Sequence, residues 1–358
     1  MMVTPVANMP SASRNSRGEK LGVRAMSGVS GVTVVVRTQG ARRSRAINYY
    51  RPPPRGVLPR GLQAFPIVRL PRVPFRALRP ARALARGALA LACAAVQAAP
   101  AQPPSACAQW LHRLPGVQAT QCAAAQLTPS GSHSQQGRPL FWRNVQPADG
   151  TPAPLRVLVV GAMHGDELTS ASLALHWIAL AEKAQRPVHW RFIPVLNPDG
   201  LLARRPTRVN ARGVDLNRNF RTPGWEHDAP QYWEKRTRKD PRRWPGPAPL
   251  SEPESQFLHA QMETFRPQLV VSIHAPYGVL DFDGPHEPPQ RLGRLRLDRV
   301  GVFPGSLGHY GGVQQGMPVV TIELDHAQRM PRDAEIRSMW NDLLRWMDTR
   351  LIPPAKKN

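Results

Sequence analysis

Apolar residues follow two different periods over the C-terminal two thirds of the chain. Short continuous apolar runs at 155–160, 188–196, 268–273 and 318–322 have the length and β-branched content of strands buried on both faces. Apolar residues at helical spacing follow at 168–182 and 332–351, and Ser251-Glu-Pro-Glu254 has the pattern of a helix start capped by Ser251. This alternation predicts an α/β fold with a mixed, mostly parallel central sheet and helices on both faces.

The first 98 residues differ in composition from the rest. They hold 17 Lys and Arg against one acid, Glu19, so 16 of the 24 net positive charges lie there. Residues 1–75 lack a sustained apolar period, and we interpret them as a disordered basic leader or as a start assigned too early. A nucleic-acid partner would depend on this leader alone, and we therefore expect none.

Residues 76–98 have the pattern of a secretory signal peptide. Four arginines precede a short apolar segment that ends in Val96-Gln97-Ala98, an acceptable cleavage site. The segment is shorter than the roughly 18 to 20 apolar residues of a membrane span, so we expect no stable membrane insertion after cleavage. A lipoprotein site at Cys93 and a mitochondrial transit peptide are the alternatives. The signal peptide predicts a periplasmic or secreted protein.

Export changes the interpretation of the cysteines. After Cys93 is removed with the signal peptide, only Cys107 and Cys122 remain, both in the N-terminal segment 99–136. In an oxidising compartment this pair can form a disulfide. Two buried free thiols are the alternative.

Polar residues interrupt the apolar pattern where predicted strands end. His164 and Glu167 follow the first strand, and His274 follows the third. Because ligands of such sheets gather at the carboxyl ends of the strands, we expect these side chains to meet. Two imidazoles and a carboxylate are a ligand set of catalytic zinc.

Several separated motifs, in order, resemble the M14-type zinc carboxypeptidases. They are His164-x-x-Glu167, Gly213-Val-Asp-Leu-Asn-Arg-Asn-Phe220, His274 after its strand, and Thr321-Ile-Glu-Leu324. Within that family, Asn197-Pro-Asp-Gly200, Arg208-x-Asn210-x-x-Gly213 and Ser251-Glu-Pro-Glu254 are most similar to bacterial murein peptide amidases. The resemblance implies a single catalytic domain over 137–352.

The resemblance also implies roles for individual residues. His164, Glu167 and His274 would bind one zinc ion, and Asp215 would orient His164 from behind. Glu323 would be the general base, with Asp325 as the competing acid on the same strand face.

The substrate contacts implied by the resemblance come from three further residues. Asn217 and Arg218 would hold a free substrate carboxylate, and Arg208 would stabilise the oxyanion. The family's mobile tyrosine, expected shortly before Gly305-Ser306, has no counterpart at Val300 to Phe303, and Tyr277 and Tyr310 are the candidates to replace it. Leu307 falls, within one residue, at the position lining the specificity pocket, and its apolar side chain does not suit a charged substrate side chain.

These assignments predict a zinc metallocarboxypeptidase that hydrolyses an amide bond next to a free carboxylate, on a peptide or muropeptide such as γ-D-glutamyl-diaminopimelate. A deacylase of N-acyl amino acids, a general peptide carboxypeptidase and a binding module without activity are the alternatives. The sequence does not fix the oligomeric state, and a monomer is our starting expectation.

Overall fold

The structure, a computed structural model, describes residues 22–28, 31–37, 46–48, 105–147, 149–150, 152–184 and 186–351. The chain divides into two units, residues 1–92 and 93–358. In the first unit, strands β1 (Gly22–Gly28), β2 (Gly31–Arg37) and β3 (Ala46–Asn48) form an antiparallel sheet in the order β1-β2-β3. The predicted signal peptide lies outside the described residues. The leader and the predicted boundaries at residues 75 and 98 stay predictions.

The second unit contains nine strands and seven helices among its described residues. The strands are β4 (Thr128–His133), β5 (Pro139–Val145), β6 (Leu155–Val160), β7 (Val188–Ile193), β8 (Leu269–His274), β9 (Val279–Asp283), β10 (Arg291–Leu292), β11 (Leu295–Arg296) and β12 (Val319–Glu323). The helices are α1 (Ala106–Trp110), α2 (Ala119–Ala124), α3 (Leu168–Ala184), α4 (Pro198–Leu202), α5 (Trp225–Gln231), α6 (Pro253–Phe265) and α7 (Asp333–Arg350).

Seven of these strands form one mixed sheet in the order β4-β5-β7-β6-β8-β12-β9. The four central strands, β7, β6, β8 and β12, are parallel, whereas the pairs at both edges are antiparallel. The predicted mixed, mostly parallel sheet is thereby confirmed. Its parallel centre brings the carboxyl ends of β6, β8 and β12 to one edge.

Helices cover both faces of this sheet, as the continuous apolar runs predict. On β6, Val157 and Val159 belong to a core cluster shared with α3 and α7, whereas Leu158 and Val160 belong to a second cluster shared with α6. Successive strand residues point to opposite faces, so a strand covered on both sides needs apolar residues at every position.

The start of α6 differs from the prediction. The helix begins at Pro253, and Glu252 rather than Ser251 precedes its first residue. Proline fits this first helical position, since its missing N–H would have no partner there. The Ser251 hydroxyl instead donates to Glu252 Oε1 and accepts from Asn219 Nδ2. The cap predicted at Ser251 is therefore wrong by one residue.

Cys107 and Cys122 form a disulfide, which joins α1 to α2. The predicted pairing is thus present in the structure. Among the described residues, none of the helices combines the length and apolar character that a membrane span requires.

Candidate active site

A group of three buried side chains lies at the carboxyl ends of β6 and β8. His164 Nδ1 lies 2.8 Å from Glu167 Oε1, and His274 Nδ1 lies 2.9 Å from Glu167 Oε2. The two Nδ1 atoms are 3.1 Å apart, so all three side chains converge on one point. Each contributes one ligand atom to a group whose atoms lie within 4.8 Å of one another. Two imidazole nitrogens and a carboxylate at such spacing fit a catalytic zinc ion.

The far nitrogens of both histidines have partners of their own. His164 Nε2 lies 3.1 Å from Asp215 Oδ1, and His274 Nε2 lies 2.9 Å from the Ser272 hydroxyl. A partner on Nε2 fixes the ring and leaves Nδ1 available for a metal. Asp215 was predicted for this position. Ser272 was missed, although its position two residues before His274 on β8 places both side chains on one face.

Electrostatics keep the carboxylates of this group charged. Burial alone would raise the pKa of Asp215, but Arg208 and His164 hold that pKa well below its ordinary value. Burial would likewise raise the pKa of Glu167, but His164 and His274 lower it. Both carboxylates therefore remain acceptors at neutral pH.

Arg208 contacts two of these carboxylates. Its Nε lies 3.1 Å from Asp215 Oδ2, and its Nη1 lies 3.4 Å from Glu167 Oε1. The backbone carbonyl of Arg208 accepts from Asn197 Nδ2 at 3.2 Å, and Asn197 also caps α4. The segment Asn197-Pro-Asp-Gly200 therefore holds the loop that carries Arg208.

A buried polar network holds the stretch between Arg208 and Asp215. Asn210 Nδ2 donates to Glu252 at 2.7 Å and to Glu254 at 3.2 Å, and Asn210 Oδ1 accepts from the backbone N–H of Val214. The acids of Ser251-Glu-Pro-Glu254 thus anchor this stretch.

Asn217 and Arg218 lie on a short turn that Asp215 caps. Asp215 Oδ1 accepts from the Asn217 N–H at 3.0 Å, and Asn217 Oδ1 accepts from the Leu307 N–H at 2.8 Å. Gly305 lies against this turn so closely that a Cβ there would overlap the Arg218 carbonyl. The absence of a side chain at Gly305 therefore allows the backbone around residue 305 to pack directly against the turn.

Arg218 is buried without a matching acid. Only 5% of its surface is exposed, its Nη1 donates to the Asn217 carbonyl at 2.6 Å, and its Nε has no partner among the described residues. The guanidinium lies over the rings of Phe303 at 4.6 Å and Tyr232 at 5.9 Å. Burial lowers the pKa of Arg218. A buried guanidinium with an unused N–H is ready to bind an anion.

These residues line one cavity of about 280 Å³. Glu323, the last residue of β12, contributes a buried Oε2 that has no partner among the described residues. Burial raises the pKa of Glu323. The other predicted residues on the wall are His164, Arg208, Asn217, Arg218 and His274. Tyr277, one of the two candidate tyrosines, also lines the cavity. The additional lining residues are Tyr232, Arg243, Asp281, Asp283, Val300, Gly301, Phe303, Ser306, Gly308 and Thr321.

The two candidate tyrosines lie in different environments in the structure. Tyr277 is 60% exposed and lines the cavity, whereas Tyr310 is buried and stacks on Phe220 at 5.9 Å. Tyr277 is therefore the tyrosine that can reach a substrate. Asp325, the competing acid, pairs with Arg294 and does not line the cavity.

The prediction that Leu307 lines the pocket is wrong. Leu307 is 1% exposed and packs in the second core cluster, whereas its neighbour Gly308 lines the cavity. Two acids that sequence reasoning missed, Asp281 and Asp283, lie on the cavity wall. Their spacing of two residues on β9 is the only signal in the sequence, since acids are disfavoured in strands and this strand was not predicted.

Comparisons with known proteins agree with this geometry. The sequence matches the zinc carboxypeptidase family, M14, over residues 121–283. It is 32% identical over 213 residues to murein peptide amidase A of Vibrio campbellii. This alignment covers 57% of this chain and 82% of that protein. It is 31% identical over 230 residues to murein peptide amidase A of Escherichia coli K12, covering 61% and 90%.

Solved structures include a similar chain, the murein-tripeptide amidase of Escherichia coli O157. It is 27% identical with a TM-score of 0.44, and the match covers 65% of this chain and 97% of that one. From the family match, the two amidase relatives and the His–Glu–His group, the protein is a hydrolase of the metallocarboxypeptidase class, its cofactor is zinc, and its substrate is a peptide. The chain belongs to the M14 zinc carboxypeptidase family.

Proposed function

We propose that this protein is an exported murein peptide amidase that cleaves the amide bond before a carboxyl-terminal diaminopimelate, as in γ-D-glutamyl-diaminopimelate. One observation carries the proposal: the two histidines of the His–Glu–His group, an unpaired Glu323 and an uncompensated Arg218 line the same cavity. An exopeptidase needs a group that cleaves the amide bond and, close to it, a group that binds the terminal carboxylate of the substrate. Both are present in this cavity. The names of the two curated relatives suggest murein as the substrate.

His164, Glu167 and His274 would hold the zinc ion. Their Nδ1 atoms and carboxylate converge, while Asp215 and Ser272 hold the rings from behind. When bound, zinc makes a nearby water more acidic and polarises a substrate carbonyl.

Glu323 would move the proton. It takes a proton from the attacking water and delivers it to the leaving amine nitrogen as the C–N bond breaks, and the water oxygen ends on the new carboxylate. Burial raises the pKa of Glu323 above that of an ordinary glutamate, which suits a group that must both accept and return a proton.

Arg218 and Asn217 would hold the terminal carboxylate of the substrate. The unused Nε of Arg218 and the cavity position of both residues support this role. Arg208 lines the same cavity and adds positive charge where the carbonyl oxygen becomes negative.

The site of action would be the periplasm or the medium. The basic and apolar pattern of 76–98 and the Cys107–Cys122 disulfide both suit export. The protein would act as a monomer. It would have no nucleic-acid partner, because most of its excess positive charge lies in the leader.

Muropeptide digestion tests the proposal. Purified protein, with and without a chelator, is incubated with L-alanyl-γ-D-glutamyl-diaminopimelate, and the products are identified by mass spectrometry. Release of free diaminopimelate by the untreated protein alone supports the proposal. Cleavage of N-acetyl amino acids instead of the tripeptide would favour the deacylase, and equal cleavage of ordinary α-linked peptides would favour a general carboxypeptidase.

A further inference from the structure

Two acids lie together on the wall of the active-site cavity and have no role in the chemistry described above. Asp281 and Asp283 are on the same face of β9, because strand side chains alternate. Both line the cavity that contains Arg218 and Glu323. Asp281 is 6% exposed, and its Oδ1 accepts from the Phe282 N–H at 2.8 Å.

Asp283 is the less satisfied of the two acids. Its carboxylate has no hydrogen bond or ion pair among the described residues. Burial and the neighbouring charge of Asp281 raise the pKa of Asp283 to about 7, and Arg299 offsets only part of this. A carboxylate in this situation is stabilised by a cation.

Gly308 is what allows Asp283 to reach the cavity. A Cβ at position 308 would overlap Asp283 Oδ2, so the carboxylate occupies the space where a side chain of residue 308 would lie. The wall that the sequence assigned to apolar Leu307 is therefore acidic, and its charge is supplied from β9.

Arg218, which lines the same cavity as the two acids, indicates how a substrate is oriented. Arg218 is 5% exposed with an unpartnered Nε, which indicates where a terminal carboxylate binds. The side chain of a residue held there lies within the same cavity, where Asp281 and Asp283 are the lining acids besides the catalytic Glu323.

We infer that Asp281 and Asp283 bind the distal ammonium of the substrate's carboxyl-terminal residue, with Asp283 as the main contact. This inference rests on the proposed function, because it takes the terminal residue to be anchored by Arg218. Diaminopimelate and lysine both carry such an ammonium. The acid pair therefore selects a terminal residue by its side-chain charge, and neutral residues of the same length are cleaved less efficiently.

Three dipeptides test this selection: γ-D-glutamyl-diaminopimelate, γ-D-glutamyl-lysine and γ-D-glutamyl-norleucine. Norleucine has the same straight chain as lysine up to its last carbon and lacks the ammonium. For the zinc-loaded protein, kcat/KM is expected to be at least about tenfold higher for lysine than for norleucine, as one charged hydrogen bond predicts. The diaminopimelate dipeptide shows whether the distal carboxylate adds to or reduces this preference.

Asp283→Asn should lower the lysine to norleucine ratio by about tenfold or more while norleucine cleavage persists, which also shows that the variant is folded. Asp281→Asn should lower the ratio less, because Asp281 already accepts a backbone N–H. Asp333→Asn is the matched control. It removes an exposed acid at the start of α7 that does not line the cavity, and it should leave the ratio unchanged.

Binding to the Glu323→Gln protein separates this inference from the proposed function. Calorimetric affinities of this variant for the three dipeptides measure the binding preference of the cavity in the absence of hydrolysis. An ammonium preference in binding with no hydrolysis by the unmodified protein would support the acid pair and overturn the proposed function. Hydrolysis with equal rates for lysine and norleucine, or an equal loss for both in Asp283→Asn, would overturn the inference and leave the proposed function in place.

Discussion

Glu323 lies directly opposite His274 in the parallel register of β12 and β8. Both residues end their strands, so the backbone hydrogen bonds of the sheet place the carboxylate next to the histidine. No loop has to fold into position to bring them together. The site can therefore be divided experimentally into a proton-transfer group, a metal-binding group and a substrate anchor.

Glu323→Gln tests proton transfer. Glutamine keeps the shape of the side chain but cannot accept the proton, so kcat should fall by about two to four orders of magnitude while zinc content is unchanged. Activity assays and metal analysis of the same preparation measure both. A variant that retains more than about a tenth of the activity would show that another group is the base.

Metal binding should depend on the ligands and on the residues behind them. His164→Ala and His274→Ala should lose zinc, because two remaining ligands bind it weakly. Asp215→Asn should keep the site but weaken affinity by roughly 10- to 100-fold, since Asp215 orients His164. Competition with a chromogenic chelator measures the affinity. Stoichiometric zinc in both alanine variants would contradict the ligand assignment.

Arg218→Ala tests the carboxylate anchor. A substrate with a free terminal carboxylate should lose about 100-fold or more in kcat/KM, because it loses a charged fork of hydrogen bonds. The same peptide with an amidated terminus should lose much less, since it never made that contact. An equal loss for both substrates would exclude an exopeptidase mechanism.

The disulfide should contribute to stability. Cys107 and Cys122 are 15 residues apart, and a loop of that size implies a stabilisation of about 3 kcal/mol. Cys107→Ser with Cys122→Ser should lower the free energy of unfolding by about this amount, measured by denaturant titration. Unchanged stability, or free thiols in exported protein, would argue against a structural bond.

The residues that end buried parallel strands were the predictable part of the site. A strand covered on both faces needs an unbroken apolar run, so a polar residue such as His164 or His274 stands out where the run ends. The sheet centre and the metal group follow from that pattern and from the resemblance of the motifs. Ser272 was hidden by the same pattern, because a lone serine inside an apolar run has no distinct signal.

The acidic wall of the cavity, formed by Asp281 and Asp283, was not predictable from the sequence because it depends on tertiary contacts. β9 contains Asp281 and Asp283, which lower its strand propensity, and its place at the sheet edge comes from antiparallel pairing with β12. Leu307 and Gly308 differ by one residue in the sequence, yet one packs in the core and the other lines the cavity. Because Gly308 rather than Leu307 lies on the cavity wall, the wall is lined by the carboxylate of Asp283 and not by an apolar side chain.

The preference for a charged terminal residue should depend on pH through Asp283. Burial and Asp281 raise the pKa of Asp283 to about 7, so its carboxyl is mostly neutral below that pH and charged above it. The lysine ammonium stays charged over this range, since its pKa is about 10. The ratio of kcat/KM for γ-D-glutamyl-lysine to that for γ-D-glutamyl-norleucine should therefore rise as pH increases through about 7.

Taking the ratio cancels the titration of Glu323 and of the metal group, because both substrates use the same groups for cleavage. In Asp283→Asn the ratio should be low and much flatter across the same range, whereas Asp333→Asn should follow the unmodified protein. A ratio that stays constant in the unmodified protein between about pH 5.5 and pH 8.5 would show that Asp283 does not titrate in contact with the substrate.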